Sequence, residues 1–221
     1  MSSARYTATR TSLRTAAIMV GFTAIFTAIM AFTFDTTRPA IEAARIEEQM
    51  RLIDEVLPRD RYDNLLLEDF VDVGPHPALA GNRVSRIWRA RKAGQPVALI
   101  AESSAPDGYA GRIELIVAIQ ADGTVSGVRV TAHKETPGLG DYIDPRKDRN
   151  KTRPWISQFV AVDWNAIEAS KWTVRKDGGV FDYHTGATIS ARAVTRAVGR
   201  TVGHVVEQRD ALFAAPSASR L

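Results

Sequence analysis

The sequence predicts an α+β protein: a single N-terminal transmembrane helix, then a domain built on a mixed/antiparallel sheet with flanking helices. Three observations carry this reading. An uncharged run, TAAIMVGFTAIFTAIMAFTF, fills residues 15–34. From about residue 83 the hydrophobic period changes to two, over RVSRIWRAR, QPVALIAES, RIELIVAIQ and TVSGVRVTAH, the alternation of half-buried strands. From about Ser190 to Arg209 helical spacing returns, with Val194, Val198, Val202 and Val205 on one side and Arg192, Arg196 and Arg200 on another.

Residues 1–14 precede the apolar run and hold Arg5, Arg10 and Arg14. Twenty helical residues span about 30 Å, the hydrocarbon thickness of a bilayer. Basic residues before the span put the N-terminus in the cytoplasm and residues 35–221 on the periplasmic side of a bacterial inner membrane. A cleaved signal peptide is the alternative. An apolar core of 20 residues exceeds the usual ~7–15, and Ile29-Met30-Ala31 is a poor cleavage site, so a retained anchor is expected. Residues 35–82 read as a stalk helix and linker. Pro39 suits a first helical turn, AIEAARIEEQMRLIDEVL is rich in helix formers, and Pro58 ends it.

Within the sheet domain, 83–209, Ala121-Asp122-Gly123 is a hairpin turn between the last two strands. Gly108-Tyr109-Ala110-Gly111 opens the third strand. A polar loop with Gly and Pro follows over 134–154. Trp155–Phe159 reads as a short helix, Lys171–Arg175 as a short strand, and Lys176-Asp177-Gly178-Gly179 as a turn. Residues 210–221 are expected to be a disordered tail.

The composition, 45% hydrophobic and 24% charged, suits a packed domain. A net charge of +4, from 29 basic against 25 acidic residues, is too small and too scattered to imply nucleic acid. There is no cysteine, which excludes disulfides, thiolate nucleophiles and ordinary iron–sulfur ligation. His133 and Glu135 form a lone H-x-E, read as a hydrogen-bonded histidine at a strand end, and no metal site is expected.

The stretch FDYHTGATISARAV, residues 181–194, is the most informative. Thr185, Thr188 and Ser190 crowd hydroxyls into six positions, and Gly186 and Ala187 remove bulk beside them. Thr188 falls at the first turn of the last helix. A helix N-terminus offers unpaired N–H groups and about half a unit of positive charge. A threonine there can cap the helix, bind a phosphate by hydrogen bond, or carry one as an ester. The residues alone leave all three open.

Asp182-x-x-Thr185-Gly186-Ala187-Thr188 resembles the D-x-x-[ST]-G-A-[ST] pattern at which a flavin transferase esterifies FMN to threonine. His133-Lys134-Glu135-Thr136-Pro137-Gly138-Leu139-Gly140-Asp141 is similar to the H-x-E-T-P-G-L-G loop of the same flavoproteins. Gly108-Tyr109-Ala110-Gly111 matches a third motif of that group. With the N-terminal span, these resemble the RnfG family, the G subunits of the Rnf (also Rsx) ion-translocating electron transport complex. The likeness runs from the anchor to about residue 205 and is strongest over 108–200. The nearest alternative family is the C subunits of the sodium-translocating NADH:quinone reductase. That family shares the flavin motif and the ETPGLG loop, but its members are longer. Residues 145–154, PRKDRNKTRP, are longer and more basic than the Rnf pattern before its W-x-x-Q-F segment.

The resemblance implies that 83–209 is an FMN-binding domain carrying a covalent phosphothreonyl-FMN on Thr188. Thr185 fits the first hydroxyl position of the motif, and Gly186 and Ala187 make room. Asp182 is implied in recognition by the transferase. Glu135, Thr136, Gly138 and Leu139 are implied to line the isoalloxazine, with Gly138 letting backbone N–H groups approach it. The implied role is an electron carrier with no catalytic residue of its own. It sits in a complex coupling electron transfer between NADH and ferredoxin to ion movement. Its partners are the other membrane and iron–sulfur or flavin subunits, and the transferase during maturation. A non-redox, membrane-anchored scaffold or regulatory domain is the alternative from a different class.

Overall fold

The computed structural model describes residues 3–221, with side chains from Ala8 onward. The chain divides into two compact units, 1–49 and 50–221. The first is helical throughout its described residues. Helix α1 is Ser3–Asp54, with Pro39 inside it. Its apolar stretch reaches a mean hydropathy of 2.1 and leaves Ile18, Phe22, Phe26 and Ile29 exposed, as a lipid-facing surface requires. Three hydroxyls near the end of the apolar run are satisfied locally. Thr33 Oγ1 donates to the Ile29 carbonyl at 2.8 Å, and Thr36 and Thr37 donate to the Phe32 and Thr33 carbonyls. Such back-bonding satisfies these three donors within the helix itself.

The second unit is a six-stranded sheet in the order β5-β4-β3-β2-β1-β6. The strands are β1 Phe70–Val73, β2 Ser85–Lys92, β3 Gln95–Gly108, β4 Gly111–Gln120, β5 Val125–Ala132 and β6 Ser219–Arg220. All neighbours are antiparallel except β1 and β6, so the sheet is mixed, as expected. The four long strands lie where the period-two pattern puts them. Helix α2, Thr188–Glu207, follows the 133–187 connection, and a short α3 covers Arg209–Ala214.

Both faces of the sheet are buried, and the alternation sorts them. Ile113, Leu115, Val117 and Ile119 of β4 pack with Leu99 of β3 against Ala191, Val194, Val198 and Val202 of α2. Ile116 and Ala118 of the same strand face the other way, with Ile100 and Trp88, onto Ile53, Leu57, Tyr62 and Leu66. Each fully buried Ile or Leu contributes about 1.5–3 kcal/mol. A one-residue slip of β4 would therefore be strongly opposed. Gly127 in β5 permits a close approach: a Cβ there would lie 2.7 Å from Val56 Cα.

Several expectations need correcting. Gly108–Gly111 does not open a strand on its own. Strand β3 continues past Ser103 to Gly108, so Tyr109 and Ala110 form the tip of the β3–β4 hairpin. Lys171–Arg175 is not a strand. It lies among 3-10 turns and makes only the isolated bridge Val174–Phe181. The 35–82 segment holds β1 as well as helix. Residues 210–221, expected to be disordered, instead form α3 and β6. Buried Arg89 donates to the carbonyls of Leu212 and Ala215, and Arg91 donates to that of Phe213. The Leu221 N–H then bonds the Asp72 carbonyl at 3.0 Å. The carbonyls held by the two arginines lie more than 120 residues away in sequence, out of reach of any local pattern.

Candidate functional site

Thr188 is the first residue of α2. Position 187, just before it, is an alanine and makes no capping hydrogen bond. The helix start therefore lacks the side-chain acceptor that most helices use, and its first N–H groups have no intrahelical partner. Thr188 is half-buried and Thr185 exposed, and neither hydroxyl bonds any described residue. Gly186 has φ +90°, a conformation that favours glycine, and its open side meets only Leu139 Cδ1 at 3.9 Å.

The third hydroxyl behaves differently. Ser190 is buried, and its Oγ donates to Glu135 Oε2. The other oxygen of Glu135 accepts the Ala110 N–H at 3.0 Å. One carboxylate, 3% exposed, thus joins the β3–β4 hairpin tip to the first turn of α2. Glycines clear the space around it. A Cβ on Gly108 would come within 2.9 Å of Glu135 Oε1, and one on Gly140 within 2.8 Å of Oε2. The Glu135 N–H is held by His133 Nδ1 at 3.1 Å, and burial lowers the His133 pKa, keeping the imidazole a neutral acceptor.

The 135–141 loop closes on itself. The Leu139 and Gly140 N–H groups both bond the Thr136 carbonyl, at 3.1 and 3.0 Å, and the Gly138 N–H bonds Asp141 Oδ1 at 2.8 Å. Those donors are already used, so the loop does not offer the Gly138 N–H to a ring. Instead it offers Leu139, which is 49% exposed.

Behind the motif lies an aromatic support. The Tyr142 ring stacks on His184, with centroids 3.9 Å apart. Its hydroxyl donates to the Ala187 carbonyl at 3.2 Å and accepts the His184 N–H at 3.3 Å. Burial pushes the Tyr142 phenol up to about 12. The W-x-x-Q-F segment grips the motif backbone. Trp155 Nε1 donates to the Asp182 carbonyl at 2.7 Å, and the Asp182 N–H donates to Gln158 Oε1 at 2.7 Å. The Asp182 carboxylate itself points outward, 65% exposed, and pairs with Arg175 at 3.2 Å.

These elements enclose a cleft of about 130 Å³ lined by Tyr109, Glu135, Thr136, Leu139, Gly186 and Ile189, among others. Of the residues singled out from the sequence, Glu135, Thr136, Leu139, Gly186, Ala187 and Ser190 meet there. Thr188 and Thr185 flank it at the helix start, while Gly138 and Asp182 stand apart from its lining. Tyr109, Gly140 and Ile189 line it too, and sequence reasoning gives them no role. Tyr109 and Gly140 lie inside recognised motifs, so position within a motif is the usable signal. Ile189 carries none.

A cleft this size is below the ~300 Å³ of sites that enclose a ligand. The residues fit a phosphate at the α2 N-terminus, with a planar group resting over the apolar rim of Tyr109, Leu139 and Ile189. Residues 108–203 match the family described as FMN-binding domain. The class is therefore an FMN-binding flavoprotein with a helix long and apolar enough to cross a membrane. Residues 1–56 match the RnfG N-terminal region. Relatives named as the G subunit of an ion-translocating oxidoreductase complex align over most of the chain. One from Pseudoalteromonas atlantica is 44% identical over 90% of each chain. One from Salmonella typhimurium is 45% identical, over 81% of this chain and 84% of its own. One from Aliivibrio fischeri is 34% identical over 93% and 96%. The chain belongs to the RnfG family, the G subunits of ion-translocating oxidoreductase complexes.

Proposed function

We propose that this chain carries FMN covalently, as a phosphoester on Thr188 Oγ1, and serves as an electron-carrying subunit of the Rnf complex. It is not an enzyme alone. The complex would couple electron transfer between NADH and ferredoxin to ion translocation. The observation that carries this reading is convergence. Gly186 and Ala187 of the D-x-x-T-G-A-T stretch and Glu135, Thr136, Leu139 and Gly140 of the ETPGLG loop, about 50 residues apart in sequence, line one cleft at the start of α2, with Thr188 beside it. The uncapped helix start supports it further, because Thr188 is not engaged in capping.

Bound FMN supplies the one- and two-electron chemistry that no side chain of a cysteine-free chain provides. The protein supplies attachment and placement. The α2 N-terminus holds the phosphate charge. Gly186 keeps the backbone close and unobstructed, and Leu139, Tyr109 and Ile189 offer apolar surface to the ring. The open cleft leaves that ring accessible to a neighbouring subunit. Asp182, exposed and clear of the cleft, is free to be read by a flavin transferase. Arg5, Arg10 and Arg14 before the span favour a cytoplasmic N-terminus and a periplasmic domain in the inner membrane. There an ester bond prevents loss of a cofactor that is not replenished.

The test is Thr188→Ala in protein coexpressed with the transferase. Flavin fluorescence should vanish from the denatured band, and the fold should survive, since no hydrogen bond of the Thr188 hydroxyl is lost. Ser190→Ala should keep the fluorescence, because Ser190 is buried on Glu135. Fluorescence retained in Thr188→Ala would sink the assignment. Mass spectrometry of the peptide containing residue 188 locates the ester directly.

A further inference from the structure

We infer that Glu135 is a fixed negative charge in the wall of the flavin cleft and lowers the reduction potential of the flavin held there. This rests on the flavin reading above and adds a tuning role for one residue. Three observations support it. Glu135 lines the cleft yet is only 3% exposed, so water screens it poorly. Its two oxygens have one hydrogen-bond partner each, the Ala110 N–H and the Ser190 hydroxyl, and both can donate to a carboxylate. Among the described residues no Lys, Arg or His forms an ion pair with it. The donors are neutral dipoles, and they stabilise the charge without cancelling it.

Glu135 is also held in place. Its two oxygens are hydrogen-bonded to the Ala110 N–H and the Ser190 hydroxyl, and His133 fixes its backbone N–H. A charge that cannot swing away acts on any group in the cleft throughout its redox cycle. Reduction adds negative charge to a flavin, so a nearby carboxylate opposes it. The bound group stays a stronger reductant, which suits a carrier that must pass electrons onward.

The experiment is redox titration of the full chain in detergent, coexpressed with the transferase, for wild type, Glu135→Gln, Glu135→Asp and Ser190→Ala. A denaturing gel first reports covalent flavin in each. Glu135→Gln keeps the size and an acceptor oxygen but removes the charge. Its midpoint is expected to rise by about tenfold in the equilibrium constant of reduction, ~30 mV for a two-electron couple. Glu135→Asp and Ser190→Ala keep the charge and should stay near wild type, although Ser190→Ala loosens the same contact. An unchanged midpoint in Glu135→Gln, or an equal rise in Ser190→Ala, overturns the inference, the latter by showing that loosening alone suffices. If Glu135→Gln fails to retain flavin, Leu139→Lys places the opposite charge on the exposed rim. It should raise the midpoint, and no rise overturns the inference. Wild type without covalent flavin overturns the parent reading instead, and this one with it.

Discussion

Replacing Gly140 with alanine tests the contact between the loop and α2. Gly140 has φ −93° and ψ −12°, which alanine adopts freely, so backbone strain contributes nothing. The steric term is local. An added Cβ would sit 2.7 Å from Ser190 Oγ and 2.8 Å from Glu135 Oε2. Ordinary contact begins near 3.4 Å, so both groups must retreat by roughly 0.6 Å. That movement breaks the Ser190–Glu135 hydrogen bond and leaves buried polar atoms unpaired, about 1–3 kcal/mol. Loss of unfolded-state entropy returns about 0.4–1 kcal/mol. The net is a destabilisation of about 1–2 kcal/mol, or ~2–8 °C in Tm for a domain of this size. Thermal unfolding of the full chain in detergent, followed by near-ultraviolet circular dichroism, reads it. Gly186→Ala is the contrast. Its φ of +90° makes the cost conformational while the space is open, so its loss should survive Ser190→Ala. A Tm for Gly140→Ala equal to or above wild type would refute the geometry on which the cleft is built.

A reporter fused after residue 100 should be active only where export is required, and activity as a cytoplasmic fusion would overturn the orientation. Tyr142 gives a pH prediction. Its folded-state pKa of about 12 lies above the ordinary value of 10, so the fold favours the neutral phenol. The resulting stability, up to ~2–3 kcal/mol, is fully present below pH 10 and is lost as pH rises toward 12. Alkaline unfolding midpoints of wild type and Tyr142→Phe check this, and equal pH dependence between pH 10 and 12 would refute it.

Much of the fold is legible because its signals are local. The uncharged run, the four long strands and α2 each announce themselves by period over eight residues or more. What escapes is non-local or short. β1 spans four residues and β6 two, and each exists through its partners. The C-terminal segment reads as polar and small, AAPSASRL, yet two arginines of β2 hold carbonyls at and just before its start. The hairpin tip at Tyr109 is misjudged because its glycines suggest the start of one strand. In fact Gly108 ends β3 and Gly111, with φ +115°, begins β4.

The hydroxyl cluster shows most clearly what a sequence leaves unresolved. Thr185, Thr188 and Ser190 look alike as residue types, and any of them could cap a helix. Structure separates them by partner. Ser190 points inward onto a buried carboxylate and is committed to holding α2 against the hairpin. The Thr185 and Thr188 hydroxyls have no partner among the described residues, and the helix start between them has no cap. Selection for stability alone would have placed an acceptor at position 187, where Ser or Asp is worth about 1 kcal/mol over Ala. An alanine there keeps the first N–H groups unclaimed and the approach to Thr188 clear. On the proposed function, an incoming phosphate would take the role of the missing cap. On the same reading the helix would be completed by its own cofactor, and apo protein should fray first at residues 187–190. Hydrogen exchange at those amides, faster in Thr188→Ala than in flavin-loaded wild type, is the expected signature. Equal protection in the two would show that the phosphate does not sit on the helix start.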